Sequence, residues 1–152
     1  MLSIPDRKAK LMTTIFKQIL AFGVLAGVAH LACDPAIAGQ ACGGVDTRLT
    51  KQRRVDYGKL VAESLNQNVK PSTVDVYEFM RVGTWTMVYA TVPVADPGYF
   101  FFDSSAGRPK FKDVWGGVAQ KSDAPEIFKW ATKLGANKAI ASCFTDAVAV
   151  IP

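Results

Sequence analysis

The chain has 152 residues, 49% hydrophobic and 20% charged, and 18 Lys and Arg against 13 Asp and Glu leave a formal net charge of +5. That length holds one well-cored domain rather than two large ones. The positive balance is mild, and no arginine-rich stretch interleaved with aromatics is present, so nucleic acid is not an expected partner.

Residues 1–38 read as an export leader. A cation-bearing start, Asp6-Arg7-Lys8-Ala9-Lys10, precedes an apolar run from Ile19 to Leu31, and Ala36-Ile37-Ala38 then stands before Gly39. Small residues at the first and third places of that triplet suit signal peptidase, so cleavage is expected between Ala38 and Gly39. Met12, with Lys17 following, makes an alternative start of more ordinary length. The apolar run falls short of the roughly 20 residues that a membrane-spanning helix needs, so no transmembrane segment is expected in the mature chain. Lipid attachment at Cys33 fits less well, because His30 occupies the place where a branched aliphatic residue is wanted. The leader looks bacterial, and the expected destination is the periplasm or the medium. It carries four Lys and Arg against two Asp, so the mature chain keeps +3 of the +5.

Export changes the cysteine arithmetic. Cys33 leaves with the leader, while Cys42 and Cys143 remain, an even pair in an oxidising compartment. A disulfide between them would tie the two ends of the domain together. The alternative is a reactive thiol, but nothing nearby is built to activate a thiolate.

Residues 39–49 form an irregular arm, and residues 50–152 a single domain. From about Thr50, Tyr57, Leu60, Val61 and Leu65 recur on one face of a helix, with Lys51, Arg53, Arg54, Lys59 and Glu63 on its wet side. Asn66-Gln67-Asn68 and Pro71 end it. Four strand-like runs follow. Thr73 to Val82 is β-branched and aromatic, and Gly83 breaks it. Thr84 to Val92 sets Trp85, Met87 and Tyr89 against Thr84, Thr86, Val88 and Ala90 with a period of two. Pro93 to Gly98 reads as a turn, Tyr99 to Phe102 as an all-aromatic strand, Asp103 to Pro109 as a loop, and Lys110 to Trp115 as the last strand. Short connections favour an antiparallel meander.

Two helices close the chain. Ser122 or Asp123 can cap the first, with Pro125 and Glu126 in its opening turn and Ile127, Trp130, Ala131 and Leu134 on its apolar face. Gly135 suits its end. Asn137 can cap the second, where Ala139, Ile140, Cys143, Phe144, Ala147 and Val148 are the buried set. The expected fold is α+β: a four-stranded antiparallel sheet with one N-terminal and two C-terminal helices packed on one face, a two-layer sandwich.

The sole histidine, His30, lies in the leader, so histidine-based triads and metal sites are not expected, nor is any cofactor. Phosphate-cradling glycine motifs are absent. Asp103 and Asp113 flank a hairpin loop and are the one carboxylate pair worth testing for hydrolysis of envelope polymers. A binding role fits the chain better than catalysis. Tyr99 through Phe102 offer apolar surface to both sides of the sheet, and one helix layer covers one side only. The expected recognition surface is therefore an aromatic sheet face built from Trp85, Tyr99, Phe101 and Trp115 with Arg108 at its rim. The expected partner is a protein of the envelope or outside the cell, bound as by an inhibitor or immunity-type factor. Self-association through the same aromatics is the structural alternative.

Overall fold

The computed structural model describes residues 42–65, 67–117 and 119–149. The leader, its cleavage point and Gly39 lie outside the described residues. Helix α1 (Lys51–Ser64) comes first, then a 3₁₀ turn at Pro71–Thr73. Strands β1 (Asp75–Val82), β2 (Trp85–Val92), β3 (Ala95–Asp103) and β4 (Lys110–Gly116) follow. A second 3₁₀ turn at Lys121–Asp123 leads into α2 (Ala124–Lys133) and α3 (Lys138–Val148). The strands form one antiparallel sheet in the order β1-β2-β3-β4. The α+β class, the meander and the three helices match the expectation.

Local chemistry sets the helix ends. The Arg53 N–H donates to Thr50 Oγ1 at 3.2 Å, and the Ile140 N–H donates to Asn137 Oδ1 at 3.0 Å, so each cap fills an orphan donor. Gly135 follows α2 at φ +97°, a conformation other residues rarely adopt. Two strands start well away from expectation, and the remaining strand ends agree to within one residue. β1 begins at Asp75 because Pro71 starts a 3₁₀ turn there. β3 reaches back to Ala95, which pairs with Val92 and shrinks the turn to Pro93-Val94. Pro97 is tolerated inside this strand because the β2–β3 register shifts between Ala90 and Val92 and pairing with β4 begins only at Gly98.

The helices divide between the two faces of the sheet instead of sharing one. Trp85 and Met87 of β2 and Phe101 of β3 pack with Ile127 and Ala131 of α2 and Ile140 and Phe144 of α3. Val88, Ala90, Phe100 and Phe102 point the other way and pack with Tyr57, Val61 and Ala62 of α1. The cause is the aromatic run of β3. Alternation sends its rings to both faces, and at about 1.5–3 kcal/mol for each large apolar side chain buried, both faces gain by acquiring a helical cover. Phe101 meets Trp130 and Phe144 edge-on at 5.3 and 4.9 Å, while Phe102 meets Tyr57 at 5.6 Å. The Tyr57 hydroxyl donates to the buried Thr86 Oγ1 at 3.0 Å, so neither polar group is stranded in the core.

The arm before α1 runs along the outer edge of β1. Asp46 and Arg81 exchange backbone hydrogen bonds of 3.0 and 2.9 Å. Arg53 ion-pairs with Asp46 at 2.6 Å and lies 4.2 Å above the Phe79 ring, and Arg54 donates to the carbonyl of Val76. Cations assigned to a wet helix face thus fasten α1 to the sheet edge. On the other side the arm is held covalently by a disulfide from Cys42 to Cys143 of α3, with Cα atoms 4.6 Å apart and 101 residues between them in sequence.

The Asp46 carboxyl is lowered to about 2, first by the Arg53 side chain and then by the Arg48 N–H. Folding favours its ionised form, so its contribution is full above the ordinary carboxylate range and drains away as pH falls from about 4 toward 2. Asp46→Asn is expected to lower the urea midpoint at pH 6, with the gap to the parent closing below pH 4. A gap of constant width would show that the ion pair contributes nothing through this carboxyl.

Candidate functional site

Residues directly opposite in a sheet share a face, and the pairings Glu78–Tyr89, Tyr89–Tyr99 and Tyr99–Trp115 make one row across all four strands. The row lies on the face covered by α2 and α3. A bulge at Tyr77, between Val76 and Glu78, adds a further ring 6.3 Å from Tyr89. Tyr89 and Tyr99 are 4.7 Å apart, Tyr99 meets Phe144 edge-on at 5.4 Å, and Trp115 meets Trp130 at 5.2 Å. Gly98, beside Tyr99, permits the close approach of β4. A Cβ there would lie 2.8 Å from Val114 Cγ2 and 3.1 Å from the Trp115 carbonyl oxygen.

The two helices cover the Met87–Phe101 row fully and this row only in part, since Tyr89, Tyr99 and Trp115 keep some exposure. What remains is a cleft of about 430 Å³. Tyr89, Tyr99 and Trp115 line it from the sheet, and Ala147 and Val148 from the last turn of α3. Asp96 and Pro97, at the start of β3, and Gly117 complete its rim. One acid, Asp96, belongs to its lining, and a second, Glu78, stands one strand beyond Tyr89. Asp96 is exposed on the rim, whereas Glu78 is half-buried beside Tyr89 and burial raises its carboxyl. The Tyr99 hydroxyl is pushed up to about 12, by burial first, then by the charge of Glu78 and by Tyr89. The indole N–H of Trp115 is buried and, among the described residues, has no acceptor, an arrangement that costs about 1–3 kcal/mol.

Of the residues expected from sequence, Tyr99 and Trp115 come together here across β3 and β4. Trp85 and Phe101 do not join them. They are 8% and 0% exposed beneath α2 and α3, where they are core, and the Lys112 ammonium lies 5.9 Å over the Trp85 ring. Arg108 is exposed in the β3–β4 connection, at the opposite end of that hairpin from the cleft. Asp96 and the end of α3 are lining contributors that sequence reasoning missed, as was Glu78 beside Tyr89. Tyr89 was visible in the period-two run but gave no sign that it stays partly open.

Asp103 behaves as a turn carboxylate, while Asp113 lies within β4; they do not pair across the hairpin, since Asp103 stands opposite Lys110 and Asp113 opposite Phe101. Asp103 accepts from the Ser105 N–H and hydroxyl at 3.0 and 2.7 Å, which, the hydroxyl first, hold it below the usual range. A proton-donating acid needs the opposite shift. Asp113 accepts from the Val114 N–H at 2.8 Å. Among the described residues, no three His, Cys, Asp or Glu side chains gather as metal ligands, and no helix is long and apolar enough to cross a membrane. The chain matches no protein-family model, and searches of curated proteins and of solved structures likewise return no match.

Proposed function

We propose that this chain is an exported, non-enzymatic binding protein that holds a protein partner at the cleft between the Tyr89–Tyr99–Trp115 row and the end of α3. The observation that carries this reading is the division of the helices. With α1 on one face and α2 and α3 on the other, the aromatics of β2 and β3 are core, except for those of this row, which α3 leaves partly open together with Trp115 of β4, while Tyr77 and Phe111 lie exposed on the two edge strands. Aromatic side chains bounding a concavity are the groups that interface anchors use. The leader pattern and a disulfide suited to an oxidising compartment support export.

The test is affinity capture from envelope extract, with protein purified from cells expressing the full chain as bait and a Tyr99→Ala, Trp115→Ala double variant beside it. Circular dichroism and urea unfolding first establish that the variant is folded. The expected result is a partner held by the parent and lost by the variant. A partner held equally by both would move recognition away from the cleft.

A further inference from the structure

The cleft combines three features that together specify a ligand chemistry, given that it is the binding site proposed above. Its walls are aromatic, the one charged residue among its described lining is the acidic Asp96, and a second carboxylate, Glu78 of β1, stands next to Tyr89. The acids are placed on two sides: Asp96 on the rim next to Pro97, and Glu78 one strand beyond Tyr89. In a chain with a formal net charge of +5, this is a local reversal of sign. A ring face attracts a cation, and a carboxylate adjoining the ring strengthens that attraction, more so where the site is partly dehydrated. An aliphatic stem suits the tyrosine walls and the methyl groups of Ala147 and Val148, while a charged head on that stem suits Asp96 and Glu78. An acidic or purely apolar side chain would leave one or both carboxylates without compensation.

We infer that the cleft takes a basic side chain, a lysine or arginine presented by the protein partner, with its aliphatic stem against Tyr89, Tyr99 and Trp115 and its cationic head toward Asp96 on the rim, on the side of the row where Glu78 adds a second carboxylate beyond Tyr89. The half-buried Glu78 is consistent with this. Burial works against its ionised form, and a cation arriving from the partner would restore it.

The test uses three capped amino acids of matched size as probes: Nα-acetyl-lysine methylamide, Nα-acetyl-arginine methylamide and the neutral Nα-acetyl-norleucine methylamide. Each is titrated into protein purified from cells expressing the full chain, and the Trp115 indole proton is followed by NMR, its resonance assigned with Trp115→Phe. The cationic probes are expected to shift that resonance saturably and to bind roughly five-fold or more tightly than norleucine, within the range of one cation–π contact aided by a carboxylate. Asp96→Asn and Glu78→Gln are each expected to shrink this preference, and Ser105→Ala, in the β3–β4 connection at the opposite end of that hairpin from the cleft, to leave it unchanged. Norleucine binding as tightly as lysine would overturn the cationic anchor while leaving the cleft a binding site. No saturable shift from any probe would also overturn it, and the capture comparison then decides separately whether the cleft binds at all.

Discussion

Phe101→Ala is expected to cost about 3–5 kcal/mol of folding free energy, the range for emptying a buried phenylalanine site. Phe101 is fully buried in the middle of β3, opposite Met87, with Trp130 and Phe144 packed edge-on against it at 5.3 and 4.9 Å. Three elements meet on this ring, so none can close the void without leaving its other contacts. A domain of this size is commonly stable by 5–15 kcal/mol, so the variant is expected to stay folded in buffer with a greatly reduced urea midpoint. The consequence for function is as informative as the cost. Once folded, Phe101→Ala is expected to retain the partner that Tyr99→Ala, Trp115→Ala loses, because its ring serves the core and not the cleft. An unfolding free energy within about 1 kcal/mol of the parent's would mean that α2 and α3 do not pack on this face as described.

Replacing both Cys42 and Cys143 with alanine is the second large effect expected. The bond closes a span of 101 residues, for which chain entropy alone assigns about 4–5 kcal/mol, and removal of native bridges from small exported domains commonly costs about 2–5 kcal/mol. The geometry adds a second loss. Cys143 is buried in the α3 core against Met80, with Sγ 3.3 Å from Met80 Sδ, and Cys42 is the point at which the arm fastens to α3 before running along the β1 edge to α1. Without the bridge, the bond between α1 and the rest of the chain rests on Asp46, Arg53, Arg54 and the α1 core face. Urea unfolding with and without a thiol reductant checks this. The parent is expected to lose stability on reduction toward the level of the double variant, and the double variant to ignore the reductant. A parent indifferent to reductant would contradict the bridge.

The fold was legible in the sequence where a residue acts on its own neighbours. Thr50 and Asn137 cap, Gly135 ends a helix, and the alternation of Trp85 to Tyr89 marks a strand, all within a few residues. The face that each helix covers was not legible. Periodicity shows that Tyr57 and Val61 share a side of α1, but the side of the sheet they meet depends on how the arm passes the β1 edge, a contact between Asp46 and Arg81 far apart in sequence. The all-aromatic run of β3 posed the right question, what covers the second face, and the answer lay in a helix that precedes it by some forty residues. The cleft was half legible. Tyr99 and Trp115 stood out as large aromatics in adjacent strands, but their openness comes from where α3 stops relative to the row, and Asp96 looked like turn chemistry because Pro97 and Gly98 follow it.

The most direct test of the account is the capture comparison extended to the exposed β4 edge. Phe111 and Val114 are each 39% exposed on the α1 side of that strand and form the main rival apolar surface. The account predicts that Tyr99→Ala, Trp115→Ala abolishes capture of the partner while a Phe111→Ser, Val114→Ser variant retains it. Loss of the partner in the β4 variant with full retention in the cleft variant, both folded, would contradict it.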